Sequence, residues 1–229
     1  VVFIHTHMGL GDHILTCGLV RVLITRNPAE SYTLFAKHHN YESVSFMYHD
    51  EPRIHVMAVS GDAEVNQLLQ GRTNVIRIGF NQVNAFGHIP FDLAFYRQMG
   101  IDYVFRWSAF KYRRDRIEQE RELYSQLAPK EPYIFVHDEF GKGTIRPEYL
   151  VGKRVVRPVM GLTANIFDYV LTIEKACEVH CIDSAFMLLI DSLLYLKAPQ
   201  YFHRYARSYV PSVYDPVPLV NNHWKVLDG

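Results

Sequence analysis

The chain has 229 residues, 48% of them hydrophobic, which is enough for one large or two small α/β domains with packed cores and excludes global disorder. Lys plus Arg and Asp plus Glu balance at 24 each, so the zero formal charge argues against a general nucleic-acid binder. Three cysteines make no disulfide framework and fit a reducing, cytoplasmic setting.

Val1 to His5 reads as a buried strand. His13 to Arg26 reads as a helix with Ile14, Leu15, Leu19, Val22 and Leu23 on one face, and Pro28 lies just beyond its end. Tyr32 to Ala36 is a second strand and Tyr41 to Tyr48 a helix. Ile54 to Val59 is a third strand, Ala63 to Leu69 a short helix ending at Gly71, and Val75 to Phe80 a fourth strand. This alternation implies a parallel sheet with right-handed crossovers.

Residues 84–128 break the rhythm. Phe91 to Met99 and Arg113 to Leu127 read as helices, and the charge run of the second reads as a solvated face. Ala128 to Pro132 is a linker. A second alternating series follows, with strands at Tyr133 to His137, Val155 to Val159, Val179 to Ile182 and Tyr201 to Tyr205. Its helices are Ile166 to Cys177 and Ala185 to Leu196. The tail from Val210, with Pro211, Pro216 and Pro218, reads as a surface wrap. The fold class is therefore α/β with two Rossmann-like halves, residues 1–128 and 129–229. The longest apolar stretch, Phe186 to Leu196, is interrupted by Asp191 and falls short of the roughly 20 residues that cross a membrane.

The first strand runs into Thr6-His7-Met8-Gly9-Leu10-Gly11-Asp12-His13, where a helix opens. A strand, a glycine turn and a helix place ligands at the carboxyl end of a parallel sheet. Gly9 and Gly11 permit positive φ and close backbone approach, and free N–H groups at a helix start favour anions. A dinucleotide fingerprint needs a third small residue where Ile14 stands and an acid where Lys37 stands, so NAD is disfavoured. A phosphate-binding P-loop needs Lys-Ser/Thr where Asp12-His13 stands. Asp12 is left with two roles, helix N-cap or general base.

In the second half, the strand ending at Ile182 meets Asp183-Ser184 and an apolar helix. Either residue suits an N-cap, and the helix start suits a diphosphate. Asp183 repels a diphosphate if it points inward, which favours Ser184 and backbone N–H groups as the contacts. Asp191 stands on the face of Ser184 about two turns on, an acid placed either to hold the ribose hydroxyls or to mark the solvent edge. Glu174 is a second candidate for the ribose. Lys142 in Gly141-Lys142-Gly143, with Arg146, offers charge to neutralise a diphosphate. His88 and Asp92 read either as contacts to sugar hydroxyls or as a loop histidine and a helix cap. Cys177, His180 and Cys181 lie close together, but zinc needs further ligands at matched spacing. Asp138-Glu139 is the nearest approach to a metal-binding acidic pair, so no metal is expected.

The stretch Met8-Gly9-Leu10-Gly11-Asp12-His13-Ile14-Leu15-Thr16 resembles the amino-terminal motif of the heptosyltransferase-type, family 9 glycosyltransferases. Cys17-Gly18 stands where that family often has proline. The resemblance implies a GT-B fold, two Rossmann-like domains facing across a cleft, with the acceptor on the first and the nucleotide-sugar donor on the second. It implies Asp12 as the base that deprotonates the acceptor hydroxyl, and it agrees with an acid such as Asp191 on the donor ribose. The expected activity is an inverting, metal-independent sugar transfer to a carbohydrate acceptor with no cofactor. The alternatives are a nucleotide-sugar epimerase of similar fold and a non-catalytic nucleotide- or sugar-binding module.

Overall fold

The apolar runs of the first half become the strands of one parallel sheet, and those of the second half another. The computed structural model describes residues 1–80, 85–138, 143–207 and 217–228. It divides into two units, Val1–Arg113 with Pro211–Leu219, and Arg114–Val210 with Val220–Gly229.

The first unit holds β1 (Val2–His5), α1 (Leu10–Arg26), β2 (Tyr32–Lys37), α2 (Tyr41–Tyr48), β3 (Ile54–Val59), α3 (Asp62–Leu68), β4 (Val75–Arg77), α4 (Phe91–Gln98) and α5 (Phe105–Ser108). Its strand order is β3-β2-β1-β4, all parallel, with Phe3 opposite Thr33 on one side and Val75 on the other. The chain reverses direction across the sheet between β1 and β4. In open parallel sheets the crevice at the carboxyl ends of such a strand pair is where ligands sit. Met8, Phe35, Val59, Val65 and Leu69 form one core cluster of this unit.

Helix α1 is buried on nearly every side rather than on one face: His13 to Arg21 are all buried, and Val22 is only half-buried. A helix apolar all round is a central helix. Gly18 is needed there, since a Cβ would lie 2.0 Å from the Phe105 carbonyl oxygen of α5. That contact accounts for the glycine in Cys17-Gly18.

The second unit holds α6 (Ile117–Leu127), β5 (Ile134–His137), β6 (Val155–Val156), α7 (Val170–Glu174), β7 (Glu178–Cys181), α8 (Ala185–Ser192), β8 (Gln200–His203) and β9 (Trp224–Leu227). The order is β6-β5-β7-β8-β9, again parallel, so the reversal falls between β5 and β7. Ile134, Val136, Ile145 and Ile182 form a core cluster under that point.

Two expectations need correction. The tail is not only a wrap, because Trp224–Leu227 adds a fifth strand to the second sheet. The charge run before the linker is not only solvated: Glu120 of α6 is buried and takes both oxygens' worth of bonds from Arg114, at 2.5 to 3.1 Å. Arg114 also grips Glu174, and Arg116 grips Asp168, so α6 packs with the second unit. The division by packing falls between Arg113 and Arg114, ahead of the 128–132 linker. Among the described residues no helix is long and apolar enough to cross a membrane.

Candidate functional site

At the carboxyl end of β1 the chain leaves the sheet through Thr6, His7 and Met8, and α1 opens with Gly9 as its N-cap. Neither Gly9 (φ −70°) nor the helical Gly11 uses positive φ, contrary to the sequence expectation. What Gly9 provides is room: a Cβ would sit 2.5 Å from Asp12 Oδ2, so the carboxylate folds back over this glycine. Asp12 is half-buried and is the third residue of α1, not its N-cap. A carboxylate in the first turn interacts favourably with the helix dipole.

Two histidines flank this turn, and their hydrogen bonds fix them as neutral. His5 Nδ1 accepts from Arg77 at 2.7 Å, so its Nε2–H faces Asp62 at 2.8 Å. Burial, with the Arg77 charge beside it, lowers the His5 pKa. His7 Nε2 accepts the Phe80 N–H at 3.0 Å, and its ring stacks with Phe80 and Phe95. Burial lowers its pKa as well. The turn that wraps His7 is conformationally demanding: Gly79 has φ +89° and a Cβ there would strike the His7 ring at 2.6 Å, while Phe80 holds φ +58°. Non-glycine residues in this region are uncommon and collect at functional sites. His13, next to Asp12, is fully buried with both ring nitrogens lacking a hydrogen-bond partner, and burial pushes its pKa down to about 4.

Of the two acceptor-side candidates, His88 is exposed. Asp92 is not: it is fully buried and bonded to Arg106 at 2.9 Å, to the Leu219 N–H at 3.0 Å and to the Tyr103 hydroxyl. Asp92 therefore ties the returning segment at Leu219 to α4 and α5 and is not open to a sugar hydroxyl.

In the second unit, Ser184 is the N-cap of α8 and its Oγ accepts the Met187 N–H at 3.2 Å. Asp183 beside it is bonded by Arg207, through the backbone oxygen at 2.9 Å and the carboxylate at 3.1 Å, so its charge is countered. Asp138, just beyond β5, pairs with Arg157 at 2.8 Å. Burial opposes its ionisation, yet the Arg157 bonds and the Ile145 N–H outweigh this and hold the carboxyl below the ordinary range. Arg146 is exposed, with its guanidinium 4.2 Å from the centre of the Tyr205 ring and no ion pair among the described residues. The structure thus gathers Asp183, Ser184 and Arg146 toward the carboxyl end of this sheet. It adds Arg157, Arg207 and Tyr205, which follow β6 and β8 where local sequence carries no motif. Lys142 and Glu139 lie outside the described residues.

Two donor-side candidates are displaced. Glu174 ends α7, which leads back to the amino end of β7, the opposite end of the sheet, and it is held by Arg114 at 2.6 and 2.8 Å. Asp191 is fully buried; its Oδ1 accepts from the Asn221 N–H at 2.8 Å and the Trp224 Nε1–H at 3.0 Å. It anchors the start of β9 instead of meeting a ribose. Cys177 is exposed and Cys181 buried, and among the described residues no group of His, Cys, Asp and Glu is arranged to hold a metal ion.

No protein-family model and no curated protein matches the sequence. Solved structures match the fold along nearly the whole chain. A glycosyl transferase family 9 structure from Veillonella parvula has a TM-score of 0.56 at 14% identity, over 98% of this chain and 86% of that one. The E. coli ADP-heptose lps heptosyltransferase II gives 0.51 at 13% identity, over 99% and 90%. E. coli heptosyltransferase WaaC with ADP-2-deoxy-2-fluoro heptose gives 0.50 at 13% identity, over 99% and 92%. The resemblance carried by residues 8–16 thus extends to the fold, an α/β architecture of two Rossmann-like parallel-sheet units of the GT-B type.

Proposed function

We propose that the chain is a glycosyltransferase that moves a sugar from a nucleotide-sugar donor to a hydroxyl of a carbohydrate acceptor. The observation that carries this reading is Asp12, a carboxylate over Gly9 at the reversal point of the first sheet, in a chain with the fold of family 9 glycosyltransferases. Fold alone does not fix function, so the reading rests on the chemistry of each edge.

Asp12 accepts the proton of the acceptor hydroxyl. The oxygen so freed attacks the anomeric carbon, and the bond from that carbon to the donor phosphate breaks with its electron pair leaving on the diphosphate. Attack opposite the leaving group inverts the configuration. The diphosphate is met by the start of α8 at Ser184 and by Arg146, which together do the electrostatic work a divalent cation does in metal-dependent transferases. His5 and His7 each spend their acceptor nitrogen on a donor, Arg77 and the Phe80 N–H, which leaves Asp12 as the base of the first edge.

The test is turnover of the purified chain over a panel of nucleotide-sugars and glycan acceptors, beginning with ADP-heptose, the donor type that the E. coli structures name. The expected result is an acceptor-dependent release of nucleoside diphosphate that persists in excess EDTA. Conversion of the donor with no acceptor present would mark an epimerase, and binding without turnover a binding module. Activity lost in EDTA and restored by magnesium or manganese would overturn the metal-free displacement and turn attention to Asp138, Glu139 and Asp183.

A further inference from the structure

A chain of hydrogen bonds runs through the second sheet and ends under Arg146. At its far end Glu178 is bonded by Lys153 and faces His180 Nε2 at 3.0 Å. His180 Nδ1 lies 2.9 Å from His203 Nε2, and His203 Nδ1 lies 3.0 Å from the Tyr205 hydroxyl. That hydroxyl also accepts the Arg146 backbone N–H at 3.1 Å.

The direction of every bond follows from its neighbour. An ionised carboxylate only accepts, so His180 Nε2 carries the hydrogen. Burial lowers the pKa of both imidazoles, that of His203 to about 4, so each carries a single N–H near neutral pH. His180 Nδ1 then accepts, His203 Nε2–H donates to it, His203 Nδ1 accepts, and Tyr205 O–H donates to His203. Tyr205 thus uses its proton on His203 and a lone pair on Arg146, which fixes the ring. The face of that ring lies 4.2 Å from the Arg146 guanidinium, and Tyr149 stacks near it at 6.3 Å.

The backbone is fixed at the same place. A Cβ on Gly143 would lie 1.9 Å from the Ala206 carbonyl oxygen, so the segments that follow β5 and β8 run in direct contact. β7 lies between those two strands, and Arg207 reaches its end at Asp183. Arg157 and Arg207 are each bonded to a carboxylate, whereas among the described residues none is bonded to Arg146.

We propose that Tyr205, locked by His203, His180 and Glu178, is a positioning residue that holds Arg146 ready for the diphosphate of the donor. The inference rests on reading this edge as the donor site. It assigns to four residues that touch no substrate a role in anion binding. A cation on an aromatic platform loses less freedom when it engages an anion than one on a mobile stem, so the platform sets affinity for the phosphates and not for the rest of the ligand.

The experiment is calorimetry on the full chain with inorganic pyrophosphate, ADP and adenosine as probes. Arg146→Met, Tyr205→Phe and the double variant are compared with wild type. Tyr205→Phe keeps the ring and removes both hydroxyl bonds, and its fold is checked by thermal melting. The expected result is pyrophosphate affinity lowered about fivefold or more by each single variant. Adenosine affinity should stay unchanged, and Tyr205→Phe should add nothing once Arg146 is gone. Wild-type affinity in Tyr205→Phe, an equal loss without Arg146, or no pyrophosphate binding by wild type would each overturn the inference. Pyrophosphate binding that depends on both residues, with no binding of ADP or any other nucleoside diphosphate, would leave the inference standing and remove the donor reading.

Discussion

At the carboxyl edge of the first sheet the groups near the reversal point are a carboxylate and two neutral imidazoles, Asp12, His5 and His7. Of the cations at this edge, Arg77 is occupied with His5, and Lys37 ends β2. At the corresponding edge of the second sheet stand four guanidinium groups among the described residues, Arg146, Arg157, Arg204 and Arg207, of which the last three are paired with carboxylates. The helix starts differ in the same sense. α1 begins at Gly9 with no side-chain cap and a carboxylate folded over it, while α8 is capped by the neutral Ser184. The two edges thus differ in what stands beside their helix starts, a carboxylate folded over Gly9 at the first and, at the second, Arg146 with no ion pair among the described residues. One edge suits taking up a proton, the other receiving an anion.

The comparison breaks first where the charges are structural. Asp92 belongs to the first unit's buried ion pair, not to its functional edge, so its loss should cost stability throughout that unit. Removing one partner of a buried pair typically costs about 3–5 kcal/mol. Asp92→Asn should therefore lower the unfolding free energy by about that amount in urea titration, and a loss below ~1 kcal/mol would put the residue back at the ligand edge.

His13 gives the next effect. Its pKa is lowered in the folded chain to about 4 from 6.5, so the unfolded chain binds the extra proton between those values. Stability is then full above pH 6.5 and falls as pH drops toward 4, by about 3 kcal/mol for this one group. His13→Leu should flatten the pH dependence of the urea midpoint by that amount. An unchanged slope would show that other groups carry it.

Ser184→Ala gives the smallest change. The lost cap should cost about 1 kcal/mol. If Ser184 also meets the diphosphate, pyrophosphate affinity should fall with it while adenosine affinity does not. A stability loss with unchanged pyrophosphate binding would leave Ser184 as a cap alone.

Much of this division was legible in the sequence where structure is local. The alternation of short strands with helices marked both parallel sheets, and residues 41–48 and 54–59 match their expected elements at both ends. The turn at Gly9 to Asp12 was visible because strand, glycine and helix stand side by side. What escaped depends on partners far along the chain. Asp191 stood out as an acid in an apolar helix, but its partners Asn221 and Trp224 lie about thirty residues on, just before and at the start of a strand hidden behind a proline-rich stretch. Glu174 likewise answers to Arg114, and Asp92 to Arg106 and Leu219. In each case an acid in an apolar setting was a sound signal of importance, and the same signal arises from a buried anchor and from a ligand contact. The His180–His203–Tyr205 chain left no motif, since His180 and His203 sit on neighbouring strands and Tyr205 in the turn that follows the second.

The central claim is that the acidic edge performs the proton transfer, and the rate of sugar transfer by Asp12→Asn tests it most directly. Asparagine keeps the size of the side chain but accepts no proton. The expected result is a loss of turnover of about 10²–10⁴-fold with donor affinity nearly unchanged and the fold intact. Near-wild-type turnover, with only a stability change of ~1 kcal/mol, would make Asp12 a helix-start residue and contradict the account.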